Sequence, residues 1–156
     1  VAEGVPLCEM VKGFDSLSFC LSKGLGAPVG SVLCGSSKMI YKARRVRKML
    51  GGGLRQAGFL AAAGRYALAN NIQRLQADHR RAKALADGLR ALGIDAPAPA
   101  TNMVYFHLND AALAAEQVGR VGIQLIAVGP STIRAVTHLD VNDASIEATI
   151  QAFSAL

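Results

Sequence analysis

Leu75, His79, Ala82, Ala86, Leu89 and Leu92 recur on or near one stripe of residues 73–92, while Arg80, Arg81, Lys83 and Arg90 point away. That spacing is the period of an amphipathic helix, and Gly93 supplies its stop. The helix constrains the fold because the chain reads differently on its two sides. Upstream, residues 16–21 alternate polar and apolar side chains, as a half-buried strand does. Three glycines and a proline then turn the chain before a second strand at residues 29–34, which predicts a hairpin with Lys23 near the start of its loop. Residues 42–50 read as a helix stopped by Gly51, Gly52 and Gly53. Residues 56–71, alanine-rich and apolar nearly all round, read as a helix buried between other elements.

Downstream of the long helix, Pro97 and Pro99 stiffen a short connector, and the texture changes to short strands alternating with helices. Strands are expected at residues 101–108, 123–128 and 132–139, and helices at 110–121 and 143–156. The fold class is therefore α/β. Residues 1–75 look like the end of a larger sheet, and residues 76–156 like a small α+β domain with its linking helix.

A chain of 156 residues suits one ordinary domain, or a compact domain with a smaller one attached. With 51% hydrophobic and 18% charged residues it is not disordered, and its apolar runs are too short and interrupted to span a bilayer. Cys8, Cys20 and Cys34 include no CxxC pair, which argues against zinc or a disulfide framework. Cys20 and Cys34 sit in apolar runs and read as small core residues in a reducing, cytoplasmic setting.

The net charge of +6 is unevenly placed. Between residues 16 and 77 there are ten basic residues and no acid, whereas beyond residue 91 six acids face two arginines. Such a stretch gathers anions. Nucleic acid, phosphate esters, carboxylates and an acidic neighbouring subunit are all candidates, although few aromatics are present for base stacking.

Several residues carry possible chemistry. Lys23 follows an apolar strand and precedes glycines. Desolvated there, its amine could form a Schiff base with an aldehyde, while a solvated loop lysine is the alternative. Gly51, Gly52 and Gly53, with Arg55 nearby, could cradle an anion through backbone N–H groups or simply end a helix. Arg134 lies in an apolar strand, where a guanidinium needs a partner. A substrate carboxylate suits its planar fork; Asp140 or solvent would serve equally. His79, His107 and His138 have no nucleophile and carboxylate at triad spacing.

Three segments together resemble a known family. The run Phe14-Asp-Ser-Leu-Ser-Phe-Cys-Leu-Ser-Lys-Gly-Leu-Gly-Ala-Pro-Val-Gly-Ser31 is similar to the cofactor-lysine segment of low-specificity L-threonine aldolases, pyridoxal-phosphate enzymes of the aspartate-aminotransferase-like fold (fold type I). The runs Ala43-Arg-Arg-Val-Arg-Lys-Met-Leu-Gly-Gly-Gly-Leu-Arg-Gln-Ala-Gly58 and Arg134-Ala-Val-Thr-His-Leu-Asp-Val141 resemble later family segments, in the family's order.

The resemblance implies that Lys23 carries pyridoxal 5'-phosphate as a Schiff base and that Arg134 grips the substrate α-carboxylate. It implies that Lys48 and Arg55 lie near the cofactor or a subunit contact. The expected reaction is retro-aldol cleavage of L-threonine or L-allo-threonine to glycine and acetaldehyde, in a cytoplasmic homotetramer with no metal, nucleic-acid or membrane partner. A β-eliminating lyase or aminotransferase on the same fold is the nearer alternative, and a basic nucleic-acid-binding module a distant one. Against the family pattern, roughly the N-terminal half of such a protomer is expected upstream of Val1. The expectation is therefore a C-terminal portion of a protomer, the end of the large-domain sheet plus the small domain, inactive alone.

Overall fold

Alternation at residues 16–20 and 31–35 produces a hairpin because the glycine-rich run between them can reverse direction. In the computed structural model, which describes all 156 residues, β1 (Ser16–Cys20) and β2 (Ser31–Gly35) pair antiparallel, with Cys20 opposite Ser31 and Ser16 opposite Gly35. A short helix, α1 (Leu7–Met10), precedes the hairpin. After it comes α2 (Ser37–Met49), whose N-cap Ser36 accepts a hydrogen bond from the Met39 N–H at 3.3 Å. The helix starts five residues before the point its periodicity suggested, because that cap lies ahead of the basic run.

The glycine turn closes α2 by a specific geometry. Gly51 has a φ of +81°, its N–H donates to the Lys48 carbonyl, and the Gly52 N–H donates to the Arg47 carbonyl at 2.8 Å. This is the Schellman arrangement, which satisfies the last free carbonyls of a helix and favours glycine at the left-handed position. Helix stop, rather than anion cradle, is the work these backbone groups visibly do.

Helix α3 (Gly58–Asn70) differs from the sequence expectation. It buries only Gly64 and Ala67, while Phe59 is 90% exposed and Tyr66 66% exposed. A helix with apolar residues on all sides can cover only the side that meets a neighbour. Here the neighbours are Leu21 and Ala27, which form a small cluster with Ala67 of the helix, with Phe19, Leu25 and Val32 packed against it. The cysteines differ too: Cys8, Cys20 and Cys34 are all exposed and unbridged. Cys20 falls on the same face of β1 as Ser16 and Ser18, so the alternation that defines the strand turns it away from the core.

Contacts divide the chain into two units, Glu3–Arg74 and Leu75–Leu156. The second holds the larger core. Its helix α4 (Leu75–Ala91) buries Asp78, Ala82, Leu85, Ala86 and Leu89. Its strands β3 (Met103–His107), β4 (Ile126–Ala127) and β5 (Thr132–Val136) form an antiparallel sheet in the order β3-β5-β4. Helices α5 (Ala111–Gly119) and α6 (Asp143–Ser154) complete the unit, capped by Asp110 and by the reciprocal Asn142/Ser145 pair. Val104, Phe106, Ile133 and Ala135 line the covered sheet face against all three helices, and Phe106 meets Phe153 edge to face at 5.2 Å. No helix is long and apolar enough to cross a membrane.

Candidate functional site

Lys23 sits in the loop joining β1 to β2 and is exposed. Backbone bonds shape that loop. The Leu21 N–H donates to the Gly30 carbonyl at 2.9 Å, the Ala27 N–H to the Leu21 carbonyl at 3.0 Å, and the Gly26 N–H to the Lys23 carbonyl at 2.8 Å. Gly26 and Gly30 have φ of +72° and +118°, values that a side chain would make costly. The hydrophobic side of the loop, Leu21 and Ala27, is anchored on Ala67 of α3. An apolar strand followed by glycines thus yields a tethered loop with a primary amine on its outside.

Lys48 occupies the last turn of α2, and its side chain folds back over the glycine turn. A Cβ on Gly53 would stand 3.0 Å from the Lys48 Nζ and 2.7 Å from its Cδ, so that lack of a side chain leaves the ammonium its place. Arg55 follows the turn and lines an open hollow of about 850 Å³ with Gln56, Gly58, Phe59 and Ala62. Beside it, Gln56 is a non-glycine residue with positive φ, +54°, and such a residue in that region marks a constrained backbone. Lys23, Lys48 and Arg55 stand on separate elements of the first unit and share no hydrogen-bond partner.

Arg134 belongs to the second unit, on the central strand β5. It projects from the sheet face that the helices do not cover, flanked in register by Tyr105 of β3 and Ile126 of β4. Its Nε is buried and has no hydrogen-bond partner. Asp140, the internal partner that the sequence left open, lies instead beside His138, 3.6 Å from Nδ1. A buried guanidinium donor without an acceptor is costly, and an anionic ligand would satisfy it.

The residues fit the group that the resemblance implies. A phosphorylated aldehyde needs a primary amine on a constrained backbone, which Lys23 offers, and cations for its phosphate, which Lys48 and Arg55 could supply. A substrate carboxylate needs a fork with donors to spare, and Arg134 has one. No cluster of His, Cys, Asp or Glu is arranged to hold a metal ion.

Sequence reasoning missed two residues beside Lys23. Asn71, the C-cap of α3, donates from Nδ2 to the Leu25 carbonyl at 2.7 Å, and Arg74 donates from Nη2 to the Gly24 carbonyl at 2.9 Å. In the sequence Arg74 is one of ten positive charges between residues 16 and 77, and nothing local signals that it reaches a loop 50 positions earlier.

Comparison with known proteins identifies the family and the fold. The chain is 44% identical to low-specificity L-threonine aldolase 1 of Arabidopsis thaliana over 98% of its length, covering 45% of that protein. It is 48% identical to the low specificity L-threonine aldolase of Escherichia coli K12 over 91% of its length, covering 43% of it. The chain therefore spans less than half the length of these curated relatives. Among solved structures, Sphingomonas wittichii serine palmitoyltransferase superposes with a TM-score of 0.73 at 16% identity, over 90% of this chain and 39% of that one. A protein from Exiguobacterium sp. 255-15, provisionally classed as an aromatic amino acid beta-eliminating lyase/threonine aldolase, gives 0.68 at 26% identity over 90% and 45%. The α/β fold is thus that of fold-type I enzymes, and the beta-eliminating lyase family model matches residues 1–111. With more than two thirds of its residues inside that match, the chain belongs to the beta-eliminating lyase family.

Proposed function

We propose that this chain is part of a pyridoxal-phosphate-dependent aldolase that cleaves L-threonine and L-allo-threonine to glycine and acetaldehyde. The observation that carries the reading is Lys23. It stands on a tethered, glycine-rich hairpin loop within a chain 44% and 48% identical to two low-specificity L-threonine aldolases.

When bound, pyridoxal phosphate supplies an electron sink for charge developing at the substrate Cα. Lys23 holds the cofactor through its Nζ, and its tethered backbone restricts the arc over which that amine can swing. Lys48 and Arg55 offer positive charge to the phosphate, or to the same group on a neighbouring subunit. Arg134 binds the α-carboxylate through its spare donors and so orients the amino acid, setting the Cα–Cβ bond for cleavage. Residues 1–75 would form the cofactor-binding part and residues 76–156 the small domain. The whole protein would act as a cytoplasmic homotetramer.

Incubating the full-length protein with pyridoxal phosphate, reducing with borohydride and mapping the modified peptide tests the central assignment. Label on Lys23 is expected, and label on a different lysine would refute it. The family match also favours a second reading, β-elimination. Product analysis separates the two: glycine with acetaldehyde supports aldol cleavage, and a 2-oxo acid supports elimination.

A further inference from the structure

We infer that Asn71 and Arg74 are positioning residues for Lys23, clamping the Gly24–Leu25 and Leu25–Gly26 peptides just beyond it. The inference rests on the proposed role of Lys23. Its basis is the pattern of bonds on the loop. The Leu21 and Lys23 carbonyls accept from backbone N–H groups of the loop itself. The next two carbonyls, Gly24 and Leu25, accept side-chain donors from residues 74 and 71, at 2.9 and 2.7 Å. These donors come from the end of α3 and the turn after it, so α3 is fastened to the loop at two consecutive peptides.

The location of these bonds argues for a function beyond holding the hairpin together. The β1–β2 ladder already fixes the register from Ser16 to Cys20, and Leu21 and Ala27 already pack on Ala67. The clamped carbonyls, those of Gly24 and Leu25, lie outside that ladder. What the clamp fixes is a segment with glycines at 24 and 26, the most permissive backbone in the loop. The Lys23 carbonyl is held by the Gly26 N–H, and the next two peptide planes are held by the clamp, so the backbone leading out of Lys23 is fixed over three consecutive peptides, which restrains where its amine can be presented. Placement of a reacting group matters steeply, a misplacement of about 1 Å costing on the order of a hundredfold in rate. The Arg74 bond also comes from a cation, which makes it stronger than a neutral one.

The test uses the full-length protein with pyridoxal phosphate and borohydride as the probe. Asn71→Ala removes the donor to Leu25, Arg74→Lys keeps a cation but loses the fork, and Ser36→Ala loosens the same unit at a cap remote from the loop. Asn71→Ala should label Lys23 about tenfold more slowly, the scale of losing one well-placed hydrogen bond. It should also move the pH midpoint of the cofactor absorbance and lower kcat while leaving KM for the amino acid near the parent value. Arg74→Lys should slow labelling by about threefold, a partial retention of the same bond, and it carries the comparison if Asn71→Ala does not accumulate. Ser36→Ala should lower Tm without moving the rate or the midpoint.

Labelling rates and midpoints in the clamp variants equal to those of Ser36→Ala would overturn the inference while Lys23 remains the labelled residue. Parent protein labelled on another lysine would remove the proposed function and the clamp together.

Discussion

Gly64 offers the most direct check that the packing beneath the lysine loop is as tight as the structure makes it. A Cβ built on this buried helical glycine would stand 2.9 Å from the Leu21 Cδ1, against a comfortable carbon–carbon separation of about 3.5–4.0 Å. Something must therefore move by about 0.6–1 Å on that scale. Leu21 is 9% exposed and belongs to the cluster with Ala27 and Ala67, so it cannot simply swing into water.

Two effects compete in Gly64→Ala. Replacing glycine inside a helix gains about 1 kcal/mol, whereas overpacking a filled site costs about 1–3 kcal/mol. The net expectation is a local loss of up to about 2 kcal/mol at the loop, once the helix gain is subtracted. Gly58, at the start of the same helix, has nothing within 4 Å of its virtual Cβ. Gly58→Ala therefore adds the same methyl group to the same helix without the clash and serves as the reference.

The assay is hydrogen exchange in the full-length protein, read on peptides covering residues 19–30, where the Leu21 and Ala27 amides are bonded within the loop. The 2.9 Å approach is closer than carbon atoms normally come, which puts the overpacking in the upper part of its range; the resulting local loss of about 1–2 kcal/mol corresponds to exchange about 5–30-fold faster. Gly64→Ala should show that acceleration and Gly58→Ala should not. Adding Gly64→Ala to a Leu21→Ala background should cost nothing further, because the opposing methyl is gone. Unchanged or slower loop exchange in Gly64→Ala, or an equal penalty on both backgrounds, would refute the reasoning.

Two further outcomes are expected. Arg134→Ala should raise KM for the amino acid by about a hundredfold and Arg134→Lys by about tenfold, because charge survives in the second but the bidentate fork does not; an unchanged KM in steady-state kinetics would remove the carboxylate role. Asp143 accepts a hydrogen bond from Arg81 at 2.7 Å, and chiefly that bond, with further help from the charges of Arg81 and Arg80, holds its carboxyl below the ordinary value of 3.8. A depressed carboxylate contributes stability above its unfolded-state value and loses it as pH falls through the folded one. Asp143→Asn should therefore lower Tm slightly and by a constant amount near neutrality, with the difference closing below about pH 4 and shrinking in high salt; a difference that persists in acid would show that the pair does not set it.

What could be read in advance follows from how far each interaction reaches along the chain. The β1–β2 hairpin was legible because its alternation and its turn lie within twenty residues, and α4 was legible because its stripe repeats several times. Cys20 was misread for a local reason: the run was judged by its mean apolarity, although its own alternation places Cys20 with Ser16 and Ser18. The misreading of α3 is of another kind. Its residues announce apolarity on all sides, but burial depends on which neighbours exist, and only the Leu21 cluster meets it.

Asp78 shows the same division within a single element. Residue 78 precedes Ala82, Leu85 and Leu89 by four, seven and eleven, which puts it on the buried stripe, and it is fully buried there. The spacing was present in the sequence, yet a carboxylate on an apolar stripe reads as an interruption until its surroundings are known. One of them is a backbone contact no pattern encodes: the Thr137 hydroxyl donates to the Asp78 carbonyl at 2.7 Å across 59 residues. The candidate site divides likewise. Lys23, Lys48, Arg55 and Arg134 emerged because short segments carry them. Asn71 and Arg74 act on carbonyls, and a carbonyl acceptor leaves no trace in residue type, so a backbone-directed support such as this one becomes visible only once the chain is folded.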